Sequence, residues 1–159
     1  MVPGPDLALD EMAMALRIGA ALAAGAVLGI NRELHRKPAG LRTHSLVSIG
    51  SALVVMAALI LAKGDANSVS RVMQGLVAGI GFLGAGVIIH HEAQRRVEGL
   101  TTAASVWVAA GLGMACGAGF FTLASLALIA AMLVLVLGGS IERALERRFM
   151  KAEDETRAE

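Results

Sequence analysis

The chain has one cysteine among its 159 residues, and charged residues make up only 17% of it. Because Cys116 has no second cysteine to pair with, an intramolecular disulfide and a cysteine zinc site are both excluded. The first residues, Met-Val-Pro-Gly-Pro, carry no basic side chain and are followed by acidic ones. A secretory leader needs a basic start, so we expect no signal peptide.

Catalytic motifs are also missing from the sequence. It contains no glycine-rich phosphate loop with a lysine, no Gly-x-Ser-x-Gly and no pair of intramembrane aspartates. The run His90-His91-Glu92 resembles the start of a zinc-protease helix, but Arg95 stands where the second histidine of that motif belongs. We therefore expect no enzyme, no catalytic residue, no metal, no cofactor and no nucleic-acid partner.

Hydrophobic residues, by contrast, make up 56% of the chain and fall into long uncharged stretches. A helix that crosses the hydrocarbon of a bilayer needs about 20 such residues. We therefore predict an all-α integral membrane protein with a membrane domain over residues 1–140 and a cytoplasmic, amphipathic and partly disordered tail over residues 141–159. The predicted helices cover residues 12–30, 45–62, 72–90, 100–117 and 119–139.

A charged segment between two apolar stretches occurs twice, at an offset of 59 residues. Ile30, Glu33, Arg36, Gly40, Leu41 and Thr43 recur as Ile89, Glu92, Arg95, Gly99, Leu100 and Thr102. The matches include glutamate and arginine, which a lipid-facing composition would not supply. We interpret the repeat as a duplicated helical hairpin, formed by helices 1–2 and 3–4, with a fifth helix added. Chance similarity between segments rich in Gly and Ala is the alternative.

The positions of lysine and arginine predict the orientation, because cytoplasmic loops carry an excess of both. Basic residues are concentrated in the first repeated segment, in the second and in the tail, whereas the alternate loops contain few. We therefore predict a multi-pass membrane protein with its N-terminus outside and its C-terminus in the cytoplasm. The two hairpins are then parallel repeats, related by an axis along the membrane normal.

Small residues predict where helices pack, because they let helix backbones approach each other in lipid. The third helix is the richest in glycine, and we expect it at the centre of the bundle. A stripe on the fourth helix should also face protein; it comprises Thr102, Ser105, Ala109, Gly113 and Cys116. Glycine faces left over could instead form a homodimer. The predicted packing residues are Gly25, Gly29, Gly75, Gly79, Gly81, Gly84, Gly86 and Ser105.

Candidate binding residues lie in the two charged segments. We predict a polar pocket at the cytoplasmic mouth, where the segments meet, that binds a ligand or a partner. Its candidate residues are Asn31, Arg32, Glu33, Arg42, Thr43, His44, Glu92, Thr101 and Thr102. The alternative is that these residues cap helices and form ion pairs that fix the topology. No Asp or Glu lies in the middle of an apolar stretch, which argues against a pump or a cation pore.

Four segments resemble the MgtC/SapB family of bacterial inner-membrane proteins, in order and in approximate spacing. They are Gly29-Ile-Asn-Arg-Glu33, Ala39-Gly-Leu-Arg-Thr-His-Ser-Leu-Val47, Gln74-Gly75 with Gly79-Ile-Gly-Phe-Leu-Gly-Ala-Gly86, and Gly99-Leu-Thr-Thr-Ala-Ala-Ser-Val-Trp107. The resemblance implies a multi-pass protein of the bacterial inner membrane with about five helices. Many relatives carry a soluble C-terminal domain, and we expect this chain to be the short form without it. Asn31 stands where many relatives have an acidic residue.

The resemblance also implies a physiological role. Some relatives are linked to survival at low Mg²⁺ and inside phagocytes, and the namesake virulence protein restrains the membrane ATP synthase. We therefore expect a non-enzymatic regulator or binding protein associated with magnesium limitation. Its expected partners are membrane lipids and another membrane protein, the ATP synthase by resemblance. The alternative is a transporter or channel for an ion or a small metabolite, which a duplicated hairpin would also suit.

Overall fold

The computed structural model describes the backbone of residues 10–91 and 96–157 and the side chains of residues 10–88 and 98–139. Over this part of the chain it contains five helices that are long and apolar enough to cross a membrane, which confirms the all-α membrane fold. The helices are α1 (Glu11–Leu34), α2 (Leu41–Ala62), α3 (Ala66–Gly86), α4 (Leu100–Gly117) and α5 (Phe121–Arg157). Two short antiparallel strands, β1 (Ile89–His91) and β2 (Arg96–Glu98), connect α3 to α4.

Local side chains and glycines set where the helices begin. Asp10 caps α1 by accepting from the Ala13 amide at 2.6 Å, and Asp65 caps α3 by accepting from the Ser68 amide at 3.2 Å. At the start of α4, Gly99 has a φ of +93°, a conformation that side chains disfavour, and a β-carbon there would overlap the Val87 carbonyl. At Gly99 the chain that follows β2 therefore packs directly against Val87, at the end of α3.

Several predicted helix boundaries differ from the structure, most of all those of the third and fifth helices. The third helix covers residues 66–86 and not 72–90, because residues 89–91 form the strand β1. Ile89 is β-branched and is followed by two histidines, and such a sequence at the end of an apolar run is as compatible with a strand as with a helix. The fifth helix continues past the predicted membrane segment to Arg157. The amphipathic character of the tail lies outside the described side chains and stays a prediction.

Helices α1 and α4 run antiparallel and are joined near both ends. Near the N-terminus of α1, Nη1 of Arg17 donates to the carbonyl oxygen of Gly117 at 2.8 Å, which satisfies a carbonyl at the end of α4. Near its C-terminus, Nη2 of Arg32 donates to Oγ1 of Thr102 at 3.0 Å. The α1–α2 connection and the β ribbon therefore lie at the same end of the bundle, which we call the inner end.

Helix α2 lies between α1 and α4, at distances that only glycine permits. A β-carbon added to Gly25 would come within 2.6 Å of the His44 carbonyl oxygen, and one added to Gly117 within 2.6 Å of that of Ala52. At Gly113 an added β-carbon would overlap the Ser48 carbonyl. A β-carbon on Gly29 would lie 2.5 Å from Cα of Leu41, so at Gly25 and Gly29 alike the contact is backbone against backbone.

The prediction that the third helix lies at the centre is wrong. Helix α4 is the most buried of the five and α3 is among the most exposed. At four of the predicted packing glycines of α3, an added β-carbon would meet no neighbouring heavy atom within 4 Å: Gly75, Gly79, Gly81 and Gly86. Gly84 alone approaches a neighbour, with 3.7 Å from such a β-carbon to that of Ala103. Small residues permit close approach but do not decide which helix face meets a partner.

The five residues of the predicted stripe of α4, Ser105 included, are all buried. The duplication itself stays a prediction. One pair of contacts agrees with it: Gly25 lies against His44 and Gly84 lies against Ala103, positions that differ by 59 residues in both cases. The two connections differ, however, since the first is a loop and the second a ribbon.

Candidate functional site

The α1–α2 connection is folded back on itself at the inner end. Arg36 adopts a left-handed conformation with a φ of 52°, and the chain then returns toward α1. Oε2 of Glu33 accepts from the Leu41 amide at 3.0 Å, which satisfies one of the free amides at the start of α2. Any side chain at Gly40 would collide with that carboxylate. Glu33 therefore caps a helix and does not face the interior.

A buried arginine crosses from the first hairpin to the second. Arg32 is 5% exposed and Thr102, its hydrogen-bond partner, is 1% exposed. The guanidinium is therefore a positive charge held away from water, and its partner in the described part of the chain is a neutral hydroxyl. A buried charge normally requires pairing or several hydrogen bonds to offset its lost hydration.

A second contact between the hairpins runs through His44, which is fully buried. Its Nδ1 donates to the carbonyl oxygen of Gly40 at 2.9 Å, because a carbonyl can only accept. Its Nε2 lies 2.9 Å from Oγ of Ser105, and the single proton of that hydroxyl can go either to Nε2 or to the Thr102 carbonyl oxygen at 2.8 Å. We refer to Asn31, Arg32, His44, Thr102 and Ser105 as the inner polar junction.

Three buried polar atoms near the inner end have no hydrogen-bond partner among the described residues: Oδ1 of Asn31, Nε of Arg32 and Oγ of Ser45. Buried polar atoms in folded proteins are almost always paired. The junction therefore has unused capacity for hydrogen bonds, including one from the guanidinium.

The structure brings together part of the predicted pocket. Asn31, Arg32, His44 and Thr102 are buried at the inner end, whereas Arg42, Thr43 and Thr101 are exposed. Glu92 lies outside the described residues. Thr43 and Thr101 point away because each is one residue from a buried neighbour, and adjacent helix positions face about 100° apart.

The sequence analysis did not identify a polar face of α2 that continues from His44 toward the opposite end of the bundle. Oγ of Ser48 donates to the Ala21 carbonyl at 2.7 Å, and Oγ of Ser51 donates to the Val47 carbonyl at 2.8 Å. The signal was present, since His44, Ser48 and Ser51 are spaced four and three apart and so share one helix face. Among the described residues, no three His, Cys, Asp or Glu side chains are placed to hold a metal ion.

Comparison with known proteins relates most of the chain to one family. A family model described as the MgtC family matches residues 18–144. Protein SrpB of Synechococcus elongatus is 44% identical over 125 residues, which are 72% of this chain and 68% of SrpB. Protein MgtC of Salmonella typhimurium is 36% identical over 142 residues, which are 89% of this chain and 59% of that protein.

A third relative, an uncharacterized protein of Haemophilus influenzae, is 32% identical over 146 residues, 87% of this chain and 61% of that protein. The chain therefore spans about three fifths to two thirds of the length of these relatives. No solved structure matches the chain.

Proposed function

The chain belongs to the MgtC family, and from that membership and its inner polar junction we propose that it is a non-enzymatic regulator in the bacterial inner membrane. The proposed role is adaptation to magnesium limitation, and the proposed partner is another membrane protein, the ATP synthase by family resemblance. The fold fits such a role, since all five described helices are of membrane-spanning type.

The proposed orientation places the N-terminus outside and the inner end in the cytoplasm. The first connection carries Arg36 and Lys37, and Arg42 follows at the start of α2. The loop at the opposite end, between α2 and α3, carries Lys63 beside Asp65. The excess of positive charge at the inner end supports the cytoplasmic assignment.

One observation carries the choice of a regulator over a cation conduit: a buried arginine joins the two hairpins at the inner end. Arg32 and His44 each contact α4, so a buried guanidinium and a buried imidazole lie where the two hairpins meet. A fixed guanidinium there also repels Mg²⁺ and favours acidic groups. A protein that binds and restrains another protein needs no path for ions through its own bundle.

The test is co-reconstitution with purified ATP synthase in proteoliposomes, with ATP-driven proton uptake followed by a pH-sensitive dye. We expect uptake to fall as the protein approaches a one-to-one ratio. Arg32→Gln should weaken the effect, because it removes the charge that joins the hairpins. Arg36→Gln, an exposed neighbour, is the matched control and should retain it. Proton uptake that is unchanged at every ratio contradicts the proposed partner.

A transporter of a small anion or an acidic metabolite is the second candidate. The unpartnered Nε of Arg32 favours it, because a guanidinium binds carboxylate and phosphate oxygens. Liposomes that contain this protein alone separate the two functions. Uptake of a labelled anion that is lost in Arg32→Gln favours the transporter. Uptake of Mg²⁺ that is lost in Glu33→Ala or Arg42→Ala contradicts the argument from charge.

A further inference from the structure

An open crevice with a volume of about 390 Å³ lies between the first connection and the end of α3. Its floor is apolar and buried, formed by Ala39 and Val106. Its wall is the lipid-facing surface of α3, where Phe82 is 82% exposed and Leu83 is also exposed. Thr43 supplies a hydroxyl at the edge. The crevice is therefore apolar inside and has a polar group at one side.

Gly86 leaves the crevice open. A β-carbon at this position would meet nothing within 4 Å, so the absence of a side chain here is not required by packing against another helix. A large side chain at residue 86 would instead occupy the crevice. Gly79 is equally open and lies two turns away on the same face of α3, but it does not line the crevice.

Two exposed cations are sequence neighbours of residues that line the crevice. Lys37 precedes the lining residue Pro38, and Arg42 precedes the lining residue Thr43. Both cations are exposed, whereas the nearby Glu33 carboxylate already accepts from a backbone amide. The rim formed by the α1–α2 connection therefore carries two exposed cations, Lys37 and Arg42, near an apolar floor.

The crevice also lies at the depth of lipid headgroups. Helix α3 crosses the membrane over 21 residues and ends at Gly86, and the crevice is at that end. A helix of this length matches the thickness of the hydrocarbon, so its last turn reaches the interface between acyl chains and headgroups.

We propose that this crevice is a binding site for an anionic glycerophospholipid, with the phosphate beside Lys37 and Arg42 and the upper acyl chain against Phe82 and Leu83. Basic pockets between membrane helices on the cytoplasmic side bind anionic headgroups in this way. The site is separate from the inner polar junction, and it does not depend on the proposed regulatory function.

The test uses a tryptophan in the crevice as the reporter. The variant Phe82→Trp, in a Trp107→Phe background, is reconstituted into phosphatidylcholine bilayers. Lipid with a brominated acyl chain, which quenches tryptophan fluorescence, is then added in increasing amounts. It is phosphatidylglycerol in one series and phosphatidylcholine in the other. We expect brominated phosphatidylglycerol to quench at a mole fraction about 25-fold below that needed for brominated phosphatidylcholine, because each of the two cations near the surface favours an anionic lipid about fivefold. Equal quenching by the two lipids overturns the proposal.

Two pairs of variants separate charge from shape. Lys37→Gln with Arg42→Gln should abolish the preference for phosphatidylglycerol, whereas Lys63→Gln, at the opposite end of α2, should leave it unchanged. Gly86→Leu should lower quenching by both lipids, because the leucine fills the crevice, whereas Gly79→Leu should not. A preference that survives the loss of both cations, or equal effects of the two leucines, contradicts the site. No partner protein is present, so failure of the proposed function does not affect this result.

Discussion

Arg32 is the residue on which the inner end depends. A charge that is 5% exposed, beside one neutral hydroxyl, is costly unless its surroundings compensate. Some compensation comes from α1 itself, since Arg32 lies in the last turn, where the helix dipole favours a positive charge. The rest must come from the hydrogen bond to Thr102 and from groups that reach the unpartnered Nε.

Replacing Thr102 with valine should therefore destabilise the fold. Valine keeps the shape of threonine but leaves the buried guanidinium without its hydroxyl partner. We expect a loss of about 1–3 kcal/mol in the free energy of unfolding, measured by titration from mild detergent into SDS. Thr101→Val, at the exposed neighbouring position, should change stability by less than about 0.5 kcal/mol. Equal effects of the two substitutions would show that the hydrogen bond contributes nothing.

The contact between His44 and Ser105 should appear as a coupling between the two positions. In a double-mutant cycle of His44→Leu and Ser105→Ala, we expect a coupling free energy of about 0.6 kcal/mol and at most about 1.7 kcal/mol, the range for hydrogen bonds inside membrane proteins. Each variant and the double variant are unfolded in SDS as above. Additive effects of the two substitutions would mean that the 2.9 Å contact is not an energetic one.

The sequence predicted that the two charged segments lie at the same end of the bundle, but not which of their side chains are buried. The repeat placed Arg32 and Thr102 at one end, and the structure joins them. The hydrogen bond of Glu33 to the Leu41 amide could not be predicted. It depends on the left-handed conformation of Arg36, which turns the chain back toward α1 and which no sequence pattern indicates. A carboxylate beside that turn finds a free helix amide and caps it.

At the scale of helices, backbone contact between α2 and α4 predicts opposite effects of alanine at two glycines of α4. Gly113→Ala places a methyl group on the Ser48 carbonyl and should cost about 1–3 kcal/mol, as overpacking does. Gly111→Ala faces open space and should be neutral or stabilising by up to about 1 kcal/mol, because alanine favours helix. Unfolding in SDS measures both. A larger loss from Gly111→Ala would mean that α4 is rotated relative to this structure.

The start of α3 should loosen at acid pH. Hydrogen bonds from Ser68 and from the Asn67 amide hold the pKa of the Asp65 carboxyl below its ordinary value. Because the folded-state pKa is depressed, the cap stabilises α3 above the unfolded pKa, and its contribution is lost as pH falls through the folded pKa. Hydrogen exchange of residues 66–70 should accelerate over that range. Asp65→Asn still caps but does not titrate, so a pH dependence that persists in this variant contradicts the assignment.

Helix number and order could be predicted from the sequence, because about 20 apolar residues in a row have few alternatives in a membrane. Helix neighbours could not. The glycines of α3 outnumber those that α2 and α4 use to meet each other, yet Gly75 and Gly79 face open space while Gly113 and Gly117 contact α2. Which helices become neighbours is decided by how their faces fit together in three dimensions, and composition does not provide that information.

At the scale of the whole molecule, the two connections are neighbours. Arg32–Thr102 fixes one end of the bundle and Arg17–Gly117 the other, so α1 and α4 are antiparallel over their full length. The junction, the basic rim and the proposed lipid site then all belong to one side of the membrane. Each proposal fails if that arrangement fails.

Labelling from the two sides of the membrane tests that arrangement most directly. Single cysteines at Lys37, Glu98 and Lys63, in a Cys116→Ser background, would be exposed to a membrane-impermeant maleimide in right-side-out and in inverted vesicles. We predict that residues 37 and 98 react only in inverted vesicles and residue 63 only in right-side-out ones. Reaction of residues 37 and 98 from opposite sides would contradict the shared inner end.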